Sequence, residues 1–109
     1  MRGEIIAAML VVSLAGCAKN PESIAASTMP MNAYSGLSCN QLAMEHQRSS
    51  LALQQAEAAQ RQAVQGDAVG VFLIGVPVSS LSGADKEGMV AQHKGEIIAI
   101  NAMRRNKGC

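Results

Sequence analysis

Residues 38–66 read SCNQLAMEHQRSSLALQQAEAAQRQAVQG, and the fold is decided there. Between Ser38 and Gly66 there is no Gly and no Pro, and Ala, Gln, Glu and Arg dominate, all strong intrinsic helix formers. Ser38 and Gln41 have capping-box spacing, with Leu37 and Leu42 at the two staple positions, so a helix is expected over about 39–65. Glu57 and Arg61 add an i,i+4 pair in the favourable order, and Gly66 is the expected residue just past the helix end. Along this segment Ser49, Ala52, Ala56, Ala59 and Ala63 recur at 3-4-3-4 spacing, a heptad seam made only of small side chains.

A small seam calls for a small partner, and the sequence holds one. A second helix is expected over about 83–106, capped by Ser82, with Asp85 and Glu87 at its positive start and Arg104, Arg105 and Lys107 at its negative end. Its stripe is Gly88, Ala91, Gly95, Ala99 and Ala102. Antiparallel pairing sets 49 opposite 102, 56 opposite 95 and 63 opposite 88, with Leu53, Val90, Ile97, Ile98, Ile100 and Met103 flanking the seam. That register places Lys94 near the level of Glu57 and leaves Gln60 as a surface residue. Aromatic residues are limited to Tyr34 and Phe72, with no Trp, so the core must be aliphatic and closely packed. The fold class is therefore mainly α: an antiparallel two-helix hairpin, residues 37–109, with an apolar connector.

The connector, Ala68 to Val78, reads AVGVFLIGVPV, without one polar side chain. As a helix it would reach only ~17 Å, short of the ~30 Å hydrocarbon core of a bilayer. Three uses compete for it: cover for the flanks of the hairpin, insertion into a bilayer interface, and docking on a partner. Its candidate tip is Val71, Phe72, Leu73, Ile74, Val76 and Pro77. Pro77, Gly70 and Gly75 argue for exposure, while the scarcity of other core material argues for a partly buried tip with one apolar face free. The spacing of Gly70 and Gly75 is not that of a phosphate loop, since Val76-Pro77 stands where Lys-Ser/Thr is required.

Upstream, residues 18–36 are polar, small and interrupted by Pro21 and Pro30, which reads as a flexible tether with an extended reach of roughly 60 Å. Before it stand a short head with Arg2 and Glu4 and an apolar run from Ile5 to Leu14, the layout of a secretory signal. The ending Leu14-Ala15-Gly16-Cys17 resembles the lipobox of bacterial lipoproteins. The resemblance implies removal of residues 1–16, a diacylglyceryl group on the Cys17 thiol and palmitate-type acylation of the new amino terminus. A chance Cys closing an uncleaved apolar segment is the alternative. Ala18 is not the Asp that holds many enterobacterial lipoproteins in the inner membrane, so the resemblance implies the periplasmic face of the outer membrane.

With Cys17 taken by lipid, Cys39 and Cys109 remain in a disulfide-permissive compartment. The hairpin register brings Cys109 level with Leu42, within reach of Cys39. A metal is the competing use, but two Cys without neighbouring ligands do not close a zinc site. The string Tyr34, Ser38-Cys39-Asn40-Gln41-Leu42, Glu45, the Pro77-containing block, Lys94-Gly95-Glu96, Ala99 and Cys109 is similar to a family of small proteobacterial lipoproteins of unassigned function. That similarity implies a lipid-anchored envelope protein with a Cys39–Cys109 pair, and supplies no catalytic residues. Relatives often carry Trp-Pro in the apolar block, where this chain has Val76-Pro77.

Signals for chemistry are sparse. His46 and His93 stand at levels about 18 Å apart in the expected register, too far to share a metal. Glu45 and His46 are neighbours on a helix and do not face each other. No Gly-x-Ser-x-Gly elbow supports a serine nucleophile. Met29-Pro30-Met31 is the one Met pair that could suggest Cu(I), in a segment read as tether. A net charge of +1 with scattered basic residues carries no nucleic-acid footprint. The expectation is a non-enzymatic interaction or structural lipoprotein, without cofactor, catalytic residue or metal, bound to the membrane by its lipid and in contact with an envelope protein or another copy. The alternative is a membrane-active or lipid-sensing protein that inserts residues 68–78.

Overall fold

A computed structural model describes residues 17–109; the expected signal segment, residues 1–16, lies outside the described residues. Among the described residues the chain is mainly helical, with no strand. Three helices, α1 (Cys39–Ile74), α2 (Val78–Leu81) and α3 (Glu87–Lys107), follow two short 3-10 turns at Pro21–Ser23 and Met31–Tyr34.

Helix α1 starts as the sequence requires. The Ser38 hydroxyl accepts the Gln41 N–H at 3.2 Å, and the Gln41 side chain accepts the Ser38 N–H at 2.9 Å, a closed capping box. Its end is different. The helix runs past Gly66 and stops at Ile74, where Gly75 takes a left-handed conformation (φ 78°) and donates its N–H to Val71. Gly66 and Gly70 are instead notches in the helix surface. A Cβ on Gly66 would collide with the Ser79 hydroxyl, and one on Gly70 would lie 2.6 Å from the Val76 carbonyl oxygen. Each glycine costs the helix about 1 kcal/mol of propensity. In exchange the chain turns back tightly and lays α2 against the last turns of α1.

The second long helix also starts later than expected. Gly83 adopts φ 80°, which breaks the path of any helix begun there. Ser82 therefore caps nothing; its hydroxyl donates to the Ser79 carbonyl. The Asp85 carboxylate accepts the Glu87 N–H at 3.0 Å, and Gly108 closes α3 in a left-handed conformation.

Helices α1 and α3 lie side by side in opposite directions, with 49 beside 96 and 60 beside 86. This register is offset by more than one turn from the seam deduced above. The reason is a third layer. Residues 18–36, expected as a flexible tether, form a strap laid along the helix pair. Ile24 is buried between Ala56 and Val90, and Pro21 is buried too. The Ser27 N–H bonds to the Ala91 carbonyl at 2.9 Å, and the missing Gly95 side chain makes room for the Ser27 backbone. Gly95 thus serves the strap and not Ala56. Gly88, the other expected seam glycine, faces open space.

Polar side chains hold the strap where apolar area is small. Lys94 does not meet Glu57; its ammonium donates to the carbonyls of Pro21 (2.6 Å) and Ile24 (2.7 Å). Gln60 is fully buried and not a surface residue. Its amide donates to the Lys19 carbonyl at 2.9 Å, while its oxygen accepts the Lys86 N–H. Every buried side-chain polar atom among the described residues has a partner. A second apolar cluster of Leu42, Ile100 and Met103, covered by Tyr34 and Leu37, closes the far end. Of the expected flanking residues Val90, Ile100 and Met103 are buried, whereas Ile98 is exposed.

Candidate functional site

The two ends of α1 carry the two groups of candidate residues. At its start the sulfur atoms of Cys39 and Cys109 stand at disulfide distance, 2.10 Å, with Cα atoms 5.6 Å apart. The αL turn at Gly108 bends the chain back, and the Cys109 N–H bonds to the Arg104 carbonyl, which aims the last residue at the start of α1. The Lys107 ammonium bonds to the Ser35 and Leu37 carbonyls, so strap, α1 and α3 meet at this end.

The other end is apolar and open. Phe72 is 88% exposed, and Leu73 and Ile74 are 68% exposed each. Val71 and Val76 are exposed as well, while Pro77 is half-buried at the start of α2. The partly buried tip expected from the scarcity of core material is not formed. The strap takes that role through Ile24 and Pro21, which frees the end of α1 from covering the helix pair. Among the described residues no helix is long and apolar enough to cross a membrane.

Cys17 lies at this same end. It lines a depression of about 430 Å³ together with Val64, Ala68, Val71 and Phe72. The residue that fixes it there is Asp67. Its carboxylate is buried, 2% exposed, and accepts the Ala18 N–H at 2.8 Å, the Ser80 N–H at 2.7 Å and the Ser80 hydroxyl. Burial alone would raise its pKa, but these bonds from Ser80 and Ala18 outweigh it and hold the carboxyl below the usual range. One side chain therefore ties together the strap, α1 and α2. Nothing in periodicity marks Asp67 as special; its one signal is being a lone carboxylate between a glycine and an unbroken apolar run. Gln60 and Lys94 were equally hidden, because long polar side chains on helices are usually solvated.

On the opposite side of the tip, Gly66, Val69, Gly70, Leu73 and Val78 line a second apolar depression of about 480 Å³. Farther along, ion pairs join the strap to the helices: Lys19 with Glu87 (3.3 Å), and Glu22 with Arg61 (2.8 Å), which also meets Glu57 on α1 (3.4 Å). The hydrogen bond from Arg61 holds the Glu22 carboxyl below its ordinary pKa. Such exposed pairs add little stability, and their interest is positional.

His93 is engaged locally by Glu96. Glu96 accepts from the Ser49 hydroxyl (3.0 Å) and from Gln92 (3.0 Å), and lies 3.1 Å from His93 Nδ1. Burial would raise this carboxyl, yet the contacts with His93, Gln92 and Ser49 prevail and lower it. Ser49 donates to the carboxylate and not to the imidazole, so the cluster links α1 to α3 and makes no nucleophile–base pair. Among the described residues no three His, Cys, Asp or Glu gather as metal ligands. The Met29 sulfur accepts the Tyr34 hydroxyl at 3.4 Å. No protein-family model, curated protein or solved structure matches this chain.

Proposed function

We propose that this chain is a lipid-anchored protein of the bacterial cell envelope, a non-enzymatic interaction or structural module built as a helical hairpin with an apolar contact surface at residues 71–77. One observation carries the reading: Cys17, the residue of the lipobox-like motif, opens onto the same depression as Val71 and Phe72. The anchor and the contact surface share one end of the molecule. The Cys39–Cys109 pair suits an oxidising compartment, and Ala18 after the anchor supports a place on the periplasmic face of the outer membrane. The buried polar residues Ser49, Gln60 and Asp67 all have structural partners, which leaves them holding the fold and not poised for reaction.

Metabolic labelling with a fatty-acid analogue tests the anchor. The wild-type chain takes the label, and Cys17→Ser abolishes labelling and leaves an unprocessed precursor. Label retained by Cys17→Ser overturns the assignment.

A further inference from the structure

Resting on that reading, we propose that the surface covering the exposed tip is the bilayer that receives the Cys17 lipid, so that the protein stands end-on in the membrane interface. The lipid supplies the attachment, and the tip supplies the orientation.

The anchor residue sits close against the folded body. The Ala18 N–H is bonded to Asp67, so one residue step, about 3.8 Å between Cα atoms, separates the anchor from the folded body. The reach of an extended tether is gone. A membrane holding acyl chains on Cys17 is brought against Val71 and Phe72, which line the same depression.

The composition of this end suits lipid. From Ala68 through Ala84 there is no Asp, Glu, Lys or Arg. Eight of the thirteen exposed large apolar side chains of the described residues fall between Val69 and Leu81. The one carboxylate beneath them, Asp67, is covered and fully bonded, so it meets no lipid. Phospholipid headgroups need no charged partner here, and attraction by apolar burial is insensitive to salt.

Charge further down α1 limits the depth. Arg61 lies eleven residues before Phe72 on α1, roughly 16 Å along the axis, and with Glu22 and Glu57 it forms a charged cluster. The apolar end is too short to span a bilayer and matches a body held at the interface, where apolar faces sink about 5–10 Å. The disulfide at the start of α1 then stands roughly 50 Å away from the tip.

The chain has no Trp, so Phe72→Trp places a single indole at the tip, at a position exposed enough to accept it. Leu51→Trp, also at an exposed position, places one in the middle of α1. Each full chain, after confirmation of fatty-acid labelling at Cys17, is reconstituted into phosphatidylethanolamine–phosphatidylglycerol vesicles containing lipids brominated along the acyl chains. The expected result is loss of most emission for Phe72→Trp, unchanged in high salt, and no loss for Leu51→Trp. Equal quenching of both would mean that the molecule lies flat, and overturns the end-on seat. An unquenched, water-exposed indole at position 72 in labelled protein also overturns it and leaves the tip to a protein partner. An indole that is shielded but unquenched, with a concentration-dependent shift, assigns the tip to a second copy and contradicts the proposal. Absence of label at Cys17 removes the anchor itself, a failure read separately from quenching.

Discussion

Gln60→Glu is the sharpest single perturbation of the strap, because it changes one heavy atom at a fully buried site. The wild-type amide donates to the Lys19 carbonyl at 2.9 Å and accepts the Lys86 N–H on its other side. In the variant an oxygen replaces the donor and faces the carbonyl oxygen. The bond to Lys86 survives, the bond to Lys19 is lost, and a buried acceptor left unpaired costs about 1–3 kcal/mol. The carboxylate would be buried besides, so it relieves part of that cost by taking up a proton and donating again. Lys19, whose carbonyl it faces, has its ammonium paired with Glu87 at the surface. A total of about 2–4 kcal/mol near pH 7 lowers the melting temperature by roughly 10–25 °C in a domain of this size. The sign with pH follows from the raised pKa in the folded state. Below the ordinary Glu value of about 4.3 the penalty is small, and it grows as pH rises towards the folded-state pKa. Thermal melts by circular dichroism at both pH values, beside an exposed control such as Gln54→Glu, provide the assay. Equal and small effects of both substitutions would refute the placement of Gln60 under the strap.

Other perturbations have their own signatures. Gly95→Ala should destabilise, because its Cβ meets the Ser27 carbonyl oxygen, whereas Gly88→Ala faces open space and should stabilise α3 by up to about 1 kcal/mol; urea denaturation checks for opposite signs. Cys39→Ser removes the link across 70 residues of sequence and should cost about 4 kcal/mol on the chain-entropy model, read as a melting shift of roughly 15–30 °C. Asp67 has a depressed pKa, so its share of stability is complete above the ordinary Asp value of about 3.9 and is lost as pH falls through the folded-state value. Asp67→Asn should flatten that acid limb of the pH–stability profile.

What the sequence makes legible is local. The Ser38–Gln41 capping box and the helical character of both long segments can be read from spacing and residue type, while the Cys39–Cys109 pair, 70 residues apart, is expected only once the lipobox resemblance sets Cys17 aside. What it hides is non-local. Gly66 is a helix stop by propensity, and only the return of Ser79 against it shows why the helix continues. A small stripe such as Ala56 and Gly95 identifies a face open to close approach, but not which segment approaches. Here Ile24 and Ser27 do so, from a stretch whose polar, proline-broken composition reads as tether. Lys94, Gln60 and Asp67 bond mainly to backbone groups of distant segments, and backbone groups carry no signature in a sequence. The tip residues were legible as apolar, and their exposure was not, since it depends on the strap supplying the core instead.

The strap belongs to the fold and delivers Cys17 to the apolar end. Amide hydrogen exchange at Ala18 and Ser27 tests it most directly, because their N–H groups bond to Asp67 and to the Ala91 carbonyl. Both amides should be protected, and Asp67→Asn should release Ala18 before Ser27. Exchange of both at the rate of an unstructured peptide, while α1 and α3 remain protected, would contradict the account.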